Sequence, residues 1–224
     1  MSLSLIFAGA GVAATSLVAM REHAKVRASR RNLLDRCSAL LMRAEIHHGK
    51  DGFPKLEGYH RGRFISAELI PDTMTIRRLP QLWLKLTRIE VRRELPEFSV
   101  LVRPSGTEFY SLTSTHALAL DPPHGLAAEA IAKGNCAGSQ STLDAVSSTL
   151  RRLFADSRMK EVAATSKGLR LIWQADEGHR GSHLILRQCR FENAAVSPEA
   201  FAARLADLDE LSAAINHAHE EKAA

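Results

Sequence analysis

Cys136 lies in the string Gly134-Asn135-Cys136-Ala137-Gly138, a G-x-nucleophile-x-G spacing. In a nucleophile elbow that spacing puts the reactive side chain on a sharp turn between a strand and a helix. A helix start follows here, with Ser141 as a cap and Asp144 three residues on. Residues 127–133 before it read as an Ala-rich helix, not a strand. Without the strand, and without parallel strands to hold an elbow, the string reads as a loop and Cys136 as no nucleophile.

Metal and acid–base chemistry find little more. The chain has ten histidines and three cysteines, Cys37, Cys136 and Cys189, with no C-x-x-C. His47 and His48 are adjacent, and on a helix they would point about 100° apart. His179 and His183 straddle a Gly-Ser turn, and His217 and His219 fall near the C-terminus. None joins Cys or carboxylate at zinc spacing, so neither a metal nor another cofactor is expected. Glu94 and Glu97 flank a Leu-Pro turn, and Asp207, Asp209 and Glu210 fall on the polar side of a helix; both sets read as solvated surface.

The basic residues offer a different chemistry. The chain carries 30 Lys and Arg against 25 Asp and Glu, for a net charge of +5. Arg21, Lys25, Arg27, Arg30, Arg31, Arg77 and Arg92 are the candidate contacts for an anion or a lipid headgroup. Aromatics make up only 5% of the chain, so stacking platforms for nucleic acid are poorly supplied and nucleic acid is not an expected partner.

The elements that would position these residues begin with an apolar stretch. Residues 3–20 are eighteen in a row without a charge, followed at once by Arg21, Lys25, Arg27, Arg30 and Arg31. As a helix the stretch would span about 27 Å, the lower end of what crosses a bilayer. No basic residue precedes it, which disfavours a cleaved export signal. The charge asymmetry predicts an uncleaved single-pass anchor in a bacterial inner membrane, N-terminus outside and C-terminal domain cytoplasmic. Gly9 and Ala13 make a small-xxx-small pair for packing one anchor on another. Unpaired thiols also fit a reducing compartment.

From Arg21 the helix is expected to continue to His48, with Val26, Leu33, Cys37, Leu40 and Ala44 as its apolar stripe. Beyond Gly49 come strand-like runs: a hairpin turning at Arg61-Gly62, a run at 73–79, another at 82–91 and one at 98–102. After an irregular middle, a helix at 141–156 carries Leu143, Val146, Leu150 and Leu153. Strand candidates at 160–165, 169–175 and 183–191 follow. The last helix opens on Ser197-Pro198-Glu199 and carries Phe201, Leu205, Leu208, Leu211 and Ile215.

Strands in runs, not alternating with helices, predict an α+β fold: an N-terminal transmembrane helix continuing into a long basic helix, then antiparallel sheet packed by two further amphipathic helices. The units are 1–20 as anchor, 21–49 as basic helix, 50–139 as a β-rich unit and 140–224 as helix-strand-strand-strand-helix. The pattern implies a membrane-anchored interaction domain, a non-catalytic part of an inner-membrane assembly whose partners are lipid and either another protein or a second copy. The alternative is a module that binds an anionic small molecule or headgroup, and a Cys-dependent enzyme comes third.

Overall fold

The computed structural model describes the backbone of residues 3–73, 79–92, 94–126, 128–181, 191–192 and 196–223, and side chains from Ala13 to Glu220 within these except His23. Its elements are α1 (Leu3–Arg31), a 3-10 turn (Asp35–Leu40), β1 (Met42–His48), β2 (Pro54–His60), β3 (Arg63–Asp72), β4 (Gln81–Ile89), β5 (Phe98–Val102), β6 (Leu118–Leu120), β7 (Ala130–Gly134), α2 (Gly138–Ala145), α3 (Ser147–Phe154), β8 (Met159–Thr165), β9 (Gly168–Glu177) and α4 (Pro198–Ala223).

Among the described residues, all nine strands join one antiparallel sheet in the order β1-β2-β3-β4-β9-β8-β5-β7-β6. The fold is therefore α+β with one large sheet, and the strands on either side of residue 140 share it. The seam is β4 against β9, where Leu84 faces Trp173 and Leu86 faces Leu171.

Alternation assigns one sheet face to the helices. Leu56, Leu84, Leu86, Val162, Leu169 and Leu171 are all at most 1% exposed. Against them α4 lays Phe201, Leu205, Leu208, Leu211 and Ile215, none more than 2% exposed. Burying each such side chain stabilises the fold by about 1.5–3 kcal/mol. The Ser197 hydroxyl caps α4, accepting from Ala200 N at 3.1 Å. Leu143 of α2, Leu150 and Leu153 of α3 and Val146 between the two helices complete the layer.

Two glycines are needed for space. Gly168 opens β9 at φ +148°, and a Cβ there would lie 2.0 Å from the carbonyl oxygen of Arg88. Gly134 ends β7 where a Cβ would meet Ser139 Cβ at 2.4 Å.

The structure corrects several expectations. The basic helix ends at Arg31, not His48; a 3-10 turn buries Cys37, and Met42–His48 is an edge strand on β2. A sheet edge left open by β2 outweighs a helical stripe that weakens after Cys37. Residues 130–134 are a strand between β5 and β6, not helix. Helix α2 starts at Gly138, so Ser141 lies inside it and is no cap. The expected runs at 73–79 and 183–191 lie largely outside the described residues.

The membrane anchor and the inner-membrane location are also corrected. Among the described residues no helix is long and apolar enough to cross a membrane. Gly9 of the expected packing pair lies outside the described side chains, and Ala13 is exposed.

Candidate functional site

The sheet face away from the helices carries the chemistry. Register aligns Lys85, Ile172, Glu161, Leu101 and Ile131 across β4, β9, β8, β5 and β7. An acidic residue mid-sheet would normally stand in water. Glu161 instead is 0% exposed, because the segment 103–117 folds over this face as a strap.

The strap is held through Glu161. Its Oε1 accepts from Ser111 Oγ at 2.6 Å, Leu112 N at 2.9 Å, Thr113 N at 3.3 Å and Thr113 Oγ1 at 3.2 Å. Oε2 has no hydrogen-bond partner among the described residues. Burial pushes the Glu161 carboxyl above the usual range, against the pull of Ser111 and the nearby Arg170 guanidinium. Arg170, on β9, donates to the carbonyl of Tyr110 at 3.2 Å. Tyr110 closes a small second core with Ile70, Trp83 and Ile172, its ring 5.6 Å from that of Trp83.

A second pin stands at the start of the strap. Lys160 Nζ donates to the Arg103 carbonyl at 2.6 Å and meets Glu108 Oε1 at 2.8 Å. Glu108 also accepts from Ser105 N, Ser105 Oγ and Gly106 N. Burial pushes the Glu108 carboxyl up, but the bonds from Lys160 and Ser105 outweigh it and hold the pKa at about 2.

The third pin has the residue types of a catalytic triad. Ser99 Oγ lies 3.2 Å from His116 Nδ1, and His116 Nε2 lies 3.4 Å from Glu97 Oε2. Glu97 also accepts from Ser166 N at 2.8 Å. Burial raises its pKa and the Ser166 and His116 contacts outweigh that, holding it below the usual range. Ser99 is 0% exposed, so no substrate carbonyl reaches its hydroxyl. The arrangement braces the far end of the strap.

Beside the pinned strap runs an open groove of about 490 Å³. Leu101 of β5 and Ile131 of β7 form its floor, and Phe109, Thr107 and Ser114 of the strap form one wall. Lys133 of β7 also lines it. Phe109 is 62% exposed and Ile131 38%, so apolar surface faces the opening.

The sequence-predicted contacts do not converge. Arg21, Arg27 and Arg31 are exposed on α1, and Lys25 pairs with Glu22 at 2.8 Å. Arg27 packs on Gly52, where a Cβ would come within 2.8 Å of its Cγ. Arg30 stacks over Phe53 at 4.8 Å and donates to the Asp51 carbonyl at 3.2 Å. These two dock the end of α1 onto the β1–β2 turn. Arg92 meets Glu90 at 3.0 Å and donates to Ser212 Oγ at 2.7 Å, tying the sheet to α4. Arg77 lies outside the described residues.

Cys136 does sit between a strand and a helix, since β7 precedes it and α2 follows. It is exposed, and its sulfur lies 3.7 Å from Ser139 Oγ. Among the described residues no histidine or carboxylate bonds to it. Cys37 is buried, and burial pushes its thiol up to about 11. No group of three His, Cys, Asp or Glu among the described residues is placed to hold a metal ion.

Of the acidic residues expected at the surface, Glu94 is exposed, while Glu97, Asp207, Asp209 and Glu210 are engaged. Asp207 is 6% exposed and meets Arg204 and Arg152, while Asp209 meets Arg88, Arg61 and His60. Sequence reasoning missed Glu161, Lys160, His116 and Ser99. One signal was available: Lys160 and Glu161 begin a strand whose next three residues are Val162, Ala163 and Ala164. Charge on that strand has to be either solvated or covered, and the Ser- and Thr-rich 111–115 segment is what covers it.

No protein-family model, curated protein or solved structure matches the chain.

Proposed function

We propose that this chain is an interaction domain, and that α1 is the element its partner grips. One observation carries the reading. Residues 13–21 are exposed in an unbroken row, with Leu17 51%, Val18 60% and Met20 69% exposed, while the next turns dock through Val26, Arg27 and Arg30. A helical segment this short is marginal in water without a packed face. Leu17, Met20 and Ala24 recur at the i, i+3, i+7 spacing that lays a helix into an apolar groove. Ala19, Met20, Ala24 and Ala28 line an open hollow along the same side.

The occupant is a different protein with an apolar groove rimmed by acidic residues. Exposed Arg21, Lys25, Arg27 and Arg31 border the apolar side, and two copies side by side would set these like charges together. Binding, not catalysis, is the reading, because Ser99 is sealed and Cys136 has no base beside it among the described residues.

Native electrophoresis of source-cell extract tests this. The chain should migrate well above its own 24.6 kDa. The double variant Leu17→Asp, Met20→Asp should fall to the monomer position with its melting temperature unchanged, while Val91→Asp on the body should not. A wild-type chain at monomer mass, or a complex that survives the α1 variant, contradicts the proposal.

A further inference from the structure

The groove beside the strap is a second binding feature, independent of α1. Its surface is mostly apolar, with Leu101 and Ile131 below and the exposed Phe109 ring at the side. Its volume of about 490 Å³ is within the range of small-molecule clefts, roughly 300–1,000 Å³.

One charge in it is unspent. Among the described residues Lys133 has no carboxylate within salt-bridge distance and no hydrogen-bond acceptor for its ammonium. The other charged groups at the groove cancel: Glu108 is bound by Lys160, Ser105 and Gly106, and its side chain is 6% exposed. Apolar walls with a single free cation select hydrocarbon carrying one negative charge. A phosphate would draw on several convergent donors or an arginine fork, and among the described lining residues one lysine stands here.

The walls are also fixed before any ligand arrives. Glu161 holds Ser111 to Thr113, Lys160 holds Glu108, and His116 contacts Ser99. A wall held this way loses little freedom on binding, which favours affinity. The buried polar pins thus acquire a purpose as the support of an exposed apolar cleft.

We infer that the groove formed by Leu101, Phe109, Ile131 and Lys133 binds a small amphipathic monocarboxylate, its hydrocarbon on the floor and its carboxylate on the Lys133 ammonium. The full chain, isotopically labelled, should be titrated with octanoate and with 3-phenylpropionate, and separately with the matched alcohols. Saturable amide shifts should appear at Leu101, Thr107, Phe109, Ile131 and Lys133. Lys133→Gln should weaken the carboxylates about tenfold, the size of one charge-assisted contact, and leave the alcohols unchanged. Ile131→Glu should weaken both series. Both substitutions are at solvent-facing positions, and an unchanged melting temperature verifies their fold. Absence of saturable shifts at these amides, or equal carboxylate affinity in wild type and Lys133→Gln, overturns the inference.

Discussion

Glu161 shows how much one side chain holds. Four donors converge on its Oε1 while Oε2 lacks a partner among the described residues. Glu161→Ala leaves those donors without an acceptor in a dry interior and should cost about 3 kcal/mol in urea denaturation. Glu161→Gln keeps an acceptor and should lose under about 1 kcal/mol at pH 7. The pH dependence has a definite sign. The folded pKa of Glu161 is raised above 4.5, so its contribution is present below that value and is lost as pH rises through the folded pKa. The Gln variant should therefore gain on wild type as pH rises above 4.5. Glu108 runs the other way: lowered from 4.5 to about 2, it stabilises above pH 4.5 and fades as pH falls toward 2. Glu108→Gln should be destabilised at pH 7, with the gap to wild type closing below pH 4. Parallel gaps at all pH values would contradict both assignments. Only the charge on an otherwise apolar strand was legible in the sequence, because a strand's period says which residues share a face and not that a distant segment will cover it.

Among the elements, α4 was the most readable and β1 and β7 the least. Cap, N-terminal proline and a five-residue stripe all point to one helix, and the structure seats it as that pattern implies. Leu208→Ala should cost about 2–5 kcal/mol and Ser197→Ala about 1 kcal/mol, both read from denaturation midpoints. Strands next to turns were also legible: Arg61 and Gly62 turn the β2–β3 hairpin with φ of 49° and 75°. Residues 42–48 and 130–133 were misread as helix, since each is recruited by a sheet neighbour, β2 directly after the first and β5 well before the second. Gly168→Ala tests the tightest of these junctions. With a Cβ driven toward the Arg88 carbonyl at 2.0 Å, it should cost more than the 0.5–1 kcal/mol typical of an unstrained glycine change. A loss below about 1 kcal/mol would mean the β4–β9 seam yields more easily than its geometry implies.

For the whole molecule, composition and strand runs pointed to α+β with antiparallel sheet, and the sheet is continuous across nine strands. Local pattern left open whether there were two sheets or one, because the answer is the pairing of β4 with β9, some 85 residues apart in sequence. The arginines that looked like one anion site are divided among separate tasks, docking α1 at Arg27 and Arg30 and bridging to α4 at Arg92. What the body leaves unoccupied is the exposed run of α1 ahead of that dock. A photoreactive phenylalanine analogue placed at Met20, and separately at Val91 as an exposed control at 68%, tests the reading in living source cells. The account predicts one discrete heteromeric adduct from position 20 and none from 91. Equal labelling at the two positions, or an adduct of twice the 24.6 kDa chain mass, would contradict it.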